Sequence, residues 1–421
     1  METLILLLSG GIFFYALISR RAERSPLTPP LFFLAAGCLF GPGVLQWFEL
    51  DIARTAVHGL GEFALVLVLF TDASRIDLSC LRREENVPIR LLGIGLPLCI
   101  VLGALGALWL LPSLALPEAL LLAAILAPTD AALGQAVVSS PLLPVRIRQS
   151  LNVESGLNDG IALPLVLMFA SLAESVGGVG GGHWLQFALL QVTLGPLAGV
   201  AVGVAGGRLV DRAVEAGWIN EAFEHLAVLG LAGLAFAGAE AIGGNGFIAA
   251  FVAGLALGNT ARGTCERLHA FGEAEGQLLT LLVFGVFGAL YVPAAFEQAD
   301  ARALLYVIGS LTVFRMLPVA LSLFGLGLRI PTLLFLGWFG PRGLASIVFT
   351  LMVVEESVFP SSERVQVIVV LTVFFSALLH GVTAYPLARR YGEWLERRCE
   401  SDEPELTTVP EMPVRLRHAD G

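Results

Sequence analysis

Runs of about 20 predominantly apolar residues, separated by short polar breaks, recur along the whole chain and restrict what it can fold into. A run of that length crosses the hydrocarbon layer of a bilayer as an α-helix, where every backbone polar group must be satisfied without water. Thirteen such segments are read here, at roughly 3–19, 29–48, 57–73, 88–111, 117–138, 147–174, 184–207, 221–240, 243–259, 272–293, 301–325, 331–355 and 364–388. Segments 2, 5 and 9 are short or rich in Gly and Pro. With 56% of its 421 residues hydrophobic and 14% charged, the chain is too apolar for a soluble globule. The expected fold class is all-α, a polytopic membrane protein of about 13 transmembrane helices. Residues 1–390 form the membrane domain; residues 391–421, polar and containing prolines, read as a short disordered tail. The first segment has no basic stretch before it and is followed by RRAER, which fits a retained signal anchor.

The arginines orient the segments. There is no lysine, so all 25 basic residues are Arg. Twenty of them lie in the loops after odd-numbered segments, at the segment ends that border those loops (Arg90, Arg148) or in the C-terminal end, against three (Arg54, Arg302, Arg364) in the even loops. By the positive-inside rule the odd loops and the C-terminus are cytoplasmic and the N-terminus is outside. The remaining two, Arg315 and Arg342, fall inside segments 11 and 12. The net charge of −10 reflects acidic loops and tail and gives no reason to expect nucleic acid. The five cysteines lack metal-ligand spacing, and no cofactor is called for.

An odd count fits two inverted halves, segments 1–6 and 8–13, joined by segment 7 after the glycine-rich 177–182. Segment 5 carries Pro128-Thr129-Asp130, and its counterpart, segment 12, carries Gly340-Pro341-Arg342-Gly343. Proline removes a backbone donor and glycine lowers helix preference, so both segments are expected to be interrupted, near 127–130 and 340–343. Paired interrupted helices are the best sequence-level pointer to a transport site.

Segment 6, the expected ion-site helix at 147–174, holds Glu154, Ser155, Asn158 and Asp159, which share one helical face. An ionised group at mid-membrane costs at least roughly 2.5–3.5 kcal/mol, which makes such a cluster a functional candidate. Carboxylate, hydroxyl and carbonyl oxygens suit hard monovalent cations such as Na⁺. A carboxylate in a partly dry cavity also takes up a proton readily. One carboxylate able to hold either ion, combined with alternating access, is sufficient for an antiporter. Asp159 is read as that group, with Ser155 and Thr129 as further oxygen candidates; Thr129 could equally bond back within its own helix. Asp130 is expected to accept freed N–H groups at a half-helix terminus, with Asn158 donating to it. Glu154 needs a buried partner, and either Arg315 or Arg342 can serve. Asp72, at the end of segment 3, either lines an inward funnel or ends its helix in solvent.

APTD (127–130) followed by ESGLND (154–159), together with FRMLPVALS and FGPRGLAS, resembles the NhaP-type sodium/proton antiporters, prokaryotic relatives of animal sodium/proton exchangers. The resemblance implies a thirteen-helix homodimer, with a dimerisation domain and a mobile core of crossed, broken helices. It implies Asp159 as the cation- and proton-binding carboxylate and Ser155 and Thr129 as ligands. Asp130 and Asn158 would stabilise the crossing, and Glu154 would pair with a membrane arginine. Asn before Asp resembles the electroneutral members. Many members carry Glu after the Phe of segment 3, where this chain has Thr71 and then Asp72. The expected activity is exchange of Na⁺ or Li⁺ for H⁺, with K⁺/H⁺ exchange as the alternative. A cation channel and an intramembrane aspartyl protease using Asp130 and Asp159 are more remote readings, and the protease has no need of Asn158.

Overall fold

The structure is a computed structural model. It describes all residues except 1, 23, 24, 26, 43, 48–53, 80–85, 131, 177–183, 357, 358, 399–402, 408 and 410–421. The glycine-rich 177–182 and most of the expected tail thus lie outside the described residues.

Among the described residues the fold is all helical, with no strand. In chain order the helices are α1 (Glu2–Ala22), α2 (Pro29–Phe40), α3 (Arg54–Ser74), α4 (Asn86–Leu110), α5 (Leu116–Ile125), α6 (Gln135–Val138) and α7 (Val145–Val176). They continue as α8 (Trp184–Glu215), α9 (Glu221–Ala241), α10 (Gly246–Thr260), α11 (Arg262–Leu290), α12 (Val292–Glu297), α13 (Ala301–Leu311) and α14 (Val313–Ser322). The last three are α15 (Ile330–Trp338), α16 (Leu344–Glu356) and α17 (Ser362–Arg398). Among the described residues six helices are long and apolar enough to cross a membrane alone, and six apolar helices are shorter. The chain is a multi-pass membrane protein.

Two of the short spans come from helices that stop in mid-course. After α5 the chain leaves the helix at Leu126 and re-forms only as α6; after α15 it is non-helical from Phe339 to Gly343 before α16 begins. Proline alone does not explain this, because Pro164, Pro196, Pro318 and Pro386 all sit inside continuous helices. What distinguishes the two breaks is that each satisfies the other's backbone. Asp130 N–H donates to Pro341 O at 2.7 Å. The Arg342 guanidinium donates to Ala127 O and Pro128 O. Ser346 Oγ donates to Ile125 O at 2.8 Å, and Arg342 N–H to Ser376 Oγ at 2.6 Å. In a medium that offers no water, irregular backbone persists only where such partners exist.

The tail differs from expectation at its start. The helix does not end near 390: α17 continues to Arg398, because Tyr391 stacks on Phe335 with centroids 4.4 Å apart and Leu395 is buried in the same apolar cluster. Beyond it, residues 403–407 include a short 3₁₀ turn, Pro404–Leu406, packed against the helices.

Candidate functional site

The crossing of the two interrupted helices lies against the middle of α7, and there the polar residues converge. Thr129, in the break after α5, places Oγ1 3.0 Å from Ser155 Oγ on α7. Asn158 Nδ2 donates to Thr129 Oγ1 at 2.7 Å. Thr129, Ser155, Asn158 and Asp159 are all buried, and Asp159, the most accessible of them, is 9% exposed. Ser155 and Asp159 are four residues apart on a continuous helix, so they stack on one face. The result is a compact group of hydroxyl, amide and carboxylate oxygens inside an apolar bundle.

Contrary to expectation, Asn158 does not donate to Asp130; its amide goes to Thr129. Its carbonyl oxygen, Oδ1, is buried without a hydrogen-bond partner. Asp130 instead joins the two breaks. Its Oδ2 accepts from Leu344 N–H at 2.8 Å, the first residue of α16, and its Oδ1 from Ala132 N–H at 2.7 Å. The carboxylate therefore faces the positive end of a half-helix, where the exposed N–H groups favour an anion. Gly343 is required here, because a Cβ at that position would overlap the Asp130 carboxylate.

Of the two arginines open to Glu154, the geometry selects Arg315, on α14. It donates two parallel bonds, NH1 to Oε1 and NH2 to Oε2, the second at 2.8 Å. Both side chains are 3% exposed, and Arg315 lies against Gly340, where a Cβ would meet its Nε at 2.6 Å. Arg342 spends its guanidinium on the carbonyls of the other break, as described above.

Asp72, in the last turn of α3, has its backbone carbonyl against α7 at Gly156, where a Cβ would meet it at 3.9 Å. With Thr71, Arg75, Gln135, Gln277 and Thr280 it lines a small cavity between α2, α3, α6 and α11.

Besides Ser346, sequence reasoning missed two contributors to the crossing, Ser376 and His380. His380, on α17, has Nε2 2.9 Å from Trp338 O at the end of α15, and Nδ1 3.1 Å from Ser376 Oγ. Ser376 in turn holds Arg342 N–H. The available signal was the Ser376-x-x-x-His380 spacing, which puts both side chains on one helical face.

With this geometry in view, comparison with known proteins is specific. A family model for the transmembrane sodium/hydrogen exchanger matches residues 8–390. The chain belongs to the sodium/hydrogen exchanger family. The K(+)/H(+) antiporter NhaP2 of Shewanella oneidensis is 26% identical over 89% of this chain and 64% of its own length. The K(+)/H(+) antiporter NhaP of Alkalimonas amylolytica is 26% identical over 97% of this chain and 69% of its own. The chain thus spans about two thirds of the length of these curated relatives. Among solved structures, the sodium proton antiporter MjNhaP1 of Methanocaldococcus jannaschii superposes with a TM-score of 0.74. It covers 93% of this chain and 100% of its own at 21% identity, which speaks to the fold.

Proposed function

We propose that the chain is a secondary antiporter that exchanges Na⁺ or Li⁺ for H⁺, with Asp159 as the shared cation and proton site. The observation that carries this is the bonded pair of Thr129 and Ser155 hydroxyls at the crossing of two interrupted helices, with the buried Asp159 one helical turn along α7 from Ser155. Oxygen ligands of this kind replace part of a monovalent cation's hydration shell, while the carboxylate supplies the charge.

The cycle follows from electrostatics. Asp159 with a bound cation, or with a proton, is neutral and crosses the barrier with the core; the bare carboxylate incurs the intramembrane charge penalty and does not. Because cation and proton occupy the same carboxylate in turn, one replaces the other and no net charge moves. Asp130, Glu154, Arg315 and Arg342 hold the crossing in shape without ligating the ion. Asp72 serves in the cavity through which ions reach the site. The arginine-rich loops face the cytoplasm and the N-terminus lies outside, in a plasma membrane, and two copies of the chain associate.

K⁺/H⁺ exchange by the same cycle is the second reading, favoured by the names of the two curated relatives. The discriminating experiment uses purified protein in vesicles with an acid interior. Na⁺, Li⁺ or K⁺ is added outside while internal pH is followed by dye fluorescence, with and without a clamp on the membrane potential. Alkalinisation by Na⁺ or Li⁺ that the clamp leaves unchanged is expected. A response to K⁺ alone would replace the substrate, and no cation-dependent proton movement from folded protein would refute the proposal.

A further inference from the structure

The two interrupted helices begin with the same local pattern but are finished differently. Half-helix α5 starts Ala115-Leu116-Pro117-Glu118, with proline at its second position. Glu118 then folds back, and its Oε2 accepts from Ala115 N–H at 2.7 Å. This satisfies one of the donors that every helix start leaves open. Half-helix α15 starts Arg329-Ile330-Pro331-Thr332, again with proline second, but threonine stands where α5 has glutamate. Threonine at this position is too short to turn back as Glu118 does.

The missing carboxylate comes from 73 residues further along the chain. Glu405, in the 3₁₀ turn beyond α17, accepts from Arg329 N–H at 2.8 Å and from Thr332 Oγ1 at 2.9 Å, both at Oε1. Glu405 is fully buried. The same turn ties down its surroundings: Glu403 pairs with Arg329, and Pro404 O accepts from Arg146 at the start of α7. Tyr391 Oη donates to Thr332 Oγ1 at 2.9 Å, which adds α17 to the cluster.

We propose that Glu405 is a positioning residue, which completes the start of α15 and clamps the broken helix to α7, the helix that carries Ser155 and Asp159. The turn at Pro404–Leu406 is thereby part of the transport core. In its absence α15 is free to fray and slide at its Arg329 end. The fraction of protein that holds the crossing, and with it Thr129 beside Ser155, then falls. Apparent cation affinity drops by that same fraction, while the turnover of loaded protein is preserved.

This inference rests on the antiport reading only for its kinetic readout, so two readouts are paired. The first is the half-saturating cation concentration in vesicles. The second is hydrogen exchange of the amides at 329–333, which needs no transport. Glu405→Ala should raise the half-saturating concentration, by up to about fivefold, the equivalent of losing one helix cap, with maximal rate little changed. It should also accelerate exchange at 329–333. Glu405→Gln keeps an acceptor oxygen and should be milder in both. The decisive variant is Thr332→Glu, which rebuilds on α15 the arrangement that Glu118 gives α5. In the Glu405→Ala background it should restore both readouts. In the wild-type background, where it sets two carboxylates against one another, it should be harmful. Unchanged affinity and unchanged exchange in a folded Glu405→Ala protein would overturn the proposal, and so would failure of Thr332→Glu to restore either readout. A wild-type protein that moves no cation would sink the antiport reading, and exchange at 329–333 would still decide the clamp.

Discussion

Replacing Glu154 by glutamine is the most severe single test of how the crossing is held. The pair with Arg315 is bidentate, both side chains are 3% exposed, and a second buried guanidinium, Arg342, serves the same crossing. The amide occupies nearly the same space as the carboxylate, so packing is preserved and only the charge is lost. Removing one partner of a buried ion pair strands the other charge, at a cost of about 3–5 kcal/mol. In thermal unfolding of detergent-solubilised protein, followed by tryptophan fluorescence, Glu154→Gln should lower the midpoint by roughly 3–6 °C. The reasoning makes a second, less intuitive demand. Glu154→Leu combined with Arg315→Met removes both charges and should be more stable than either single variant, because a buried pair contributes little over well-packed apolar side chains. A Glu154→Gln protein as stable as wild type, or a double variant no better than the singles, would refute the argument.

Three further outcomes follow from the geometry. Gly343→Ala should destabilise the protein and abolish transport, since its methyl group enters the space of the Asp130 carboxylate; Gly59→Ala, where a Cβ meets nothing, should be silent in the same assays. Asp159→Asn should fold normally, by circular dichroism and elution volume, yet show no cation-driven proton movement in vesicles. Asp300, which caps α13 through Ala303 N–H and binds Arg364, is held below the usual carboxylate range, chiefly by the backbone bond and then by the arginine. Its contribution is therefore present above the ordinary Asp value of about 3.9 and is lost as pH falls through the lower folded value. Asp300→Asn should lower the unfolding midpoint at neutral pH, and the gap to wild type should close in acid.

Much of the architecture was legible because the bilayer leaves few options. Apolar runs gave the helices, and Pro128 and the Gly340–Pro341 pair marked the two interruptions. The same signals could not tell breaking prolines from tolerated ones. Pro164 and Pro386 remain within helices, and the difference lies in tertiary partners such as Arg342, Ser346 and Ser376, distant in sequence from the groups they satisfy. The candidate site was legible for a local reason, since Glu154, Ser155, Asn158 and Asp159 share a helical face within one short motif. The choice of Arg315 over Arg342, and of Thr129 over Asp130 as the partner of Asn158, was not. Each is set by how two crossed segments rotate against α7, and composition and periodicity do not encode that rotation. The docked turn at Glu405 was hidden by its surroundings, because a single buried acid inside a polar, proline-containing stretch looks the same as a solvated one.

The central claim is that one carboxylate, Asp159, holds either a cation or a proton. Its most direct test is proton release in weakly buffered detergent solution, with Na⁺, Li⁺ or K⁺ added to purified protein near the pH of half-protonation and bound cation measured by isothermal titration. The account predicts that binding to the wild-type protein expels protons, approaching one per cation on the acid side of that pH, and that Asp159→Asn neither binds nor releases. Cation binding without proton release, or release that persists in Asp159→Asn, would contradict a shared site.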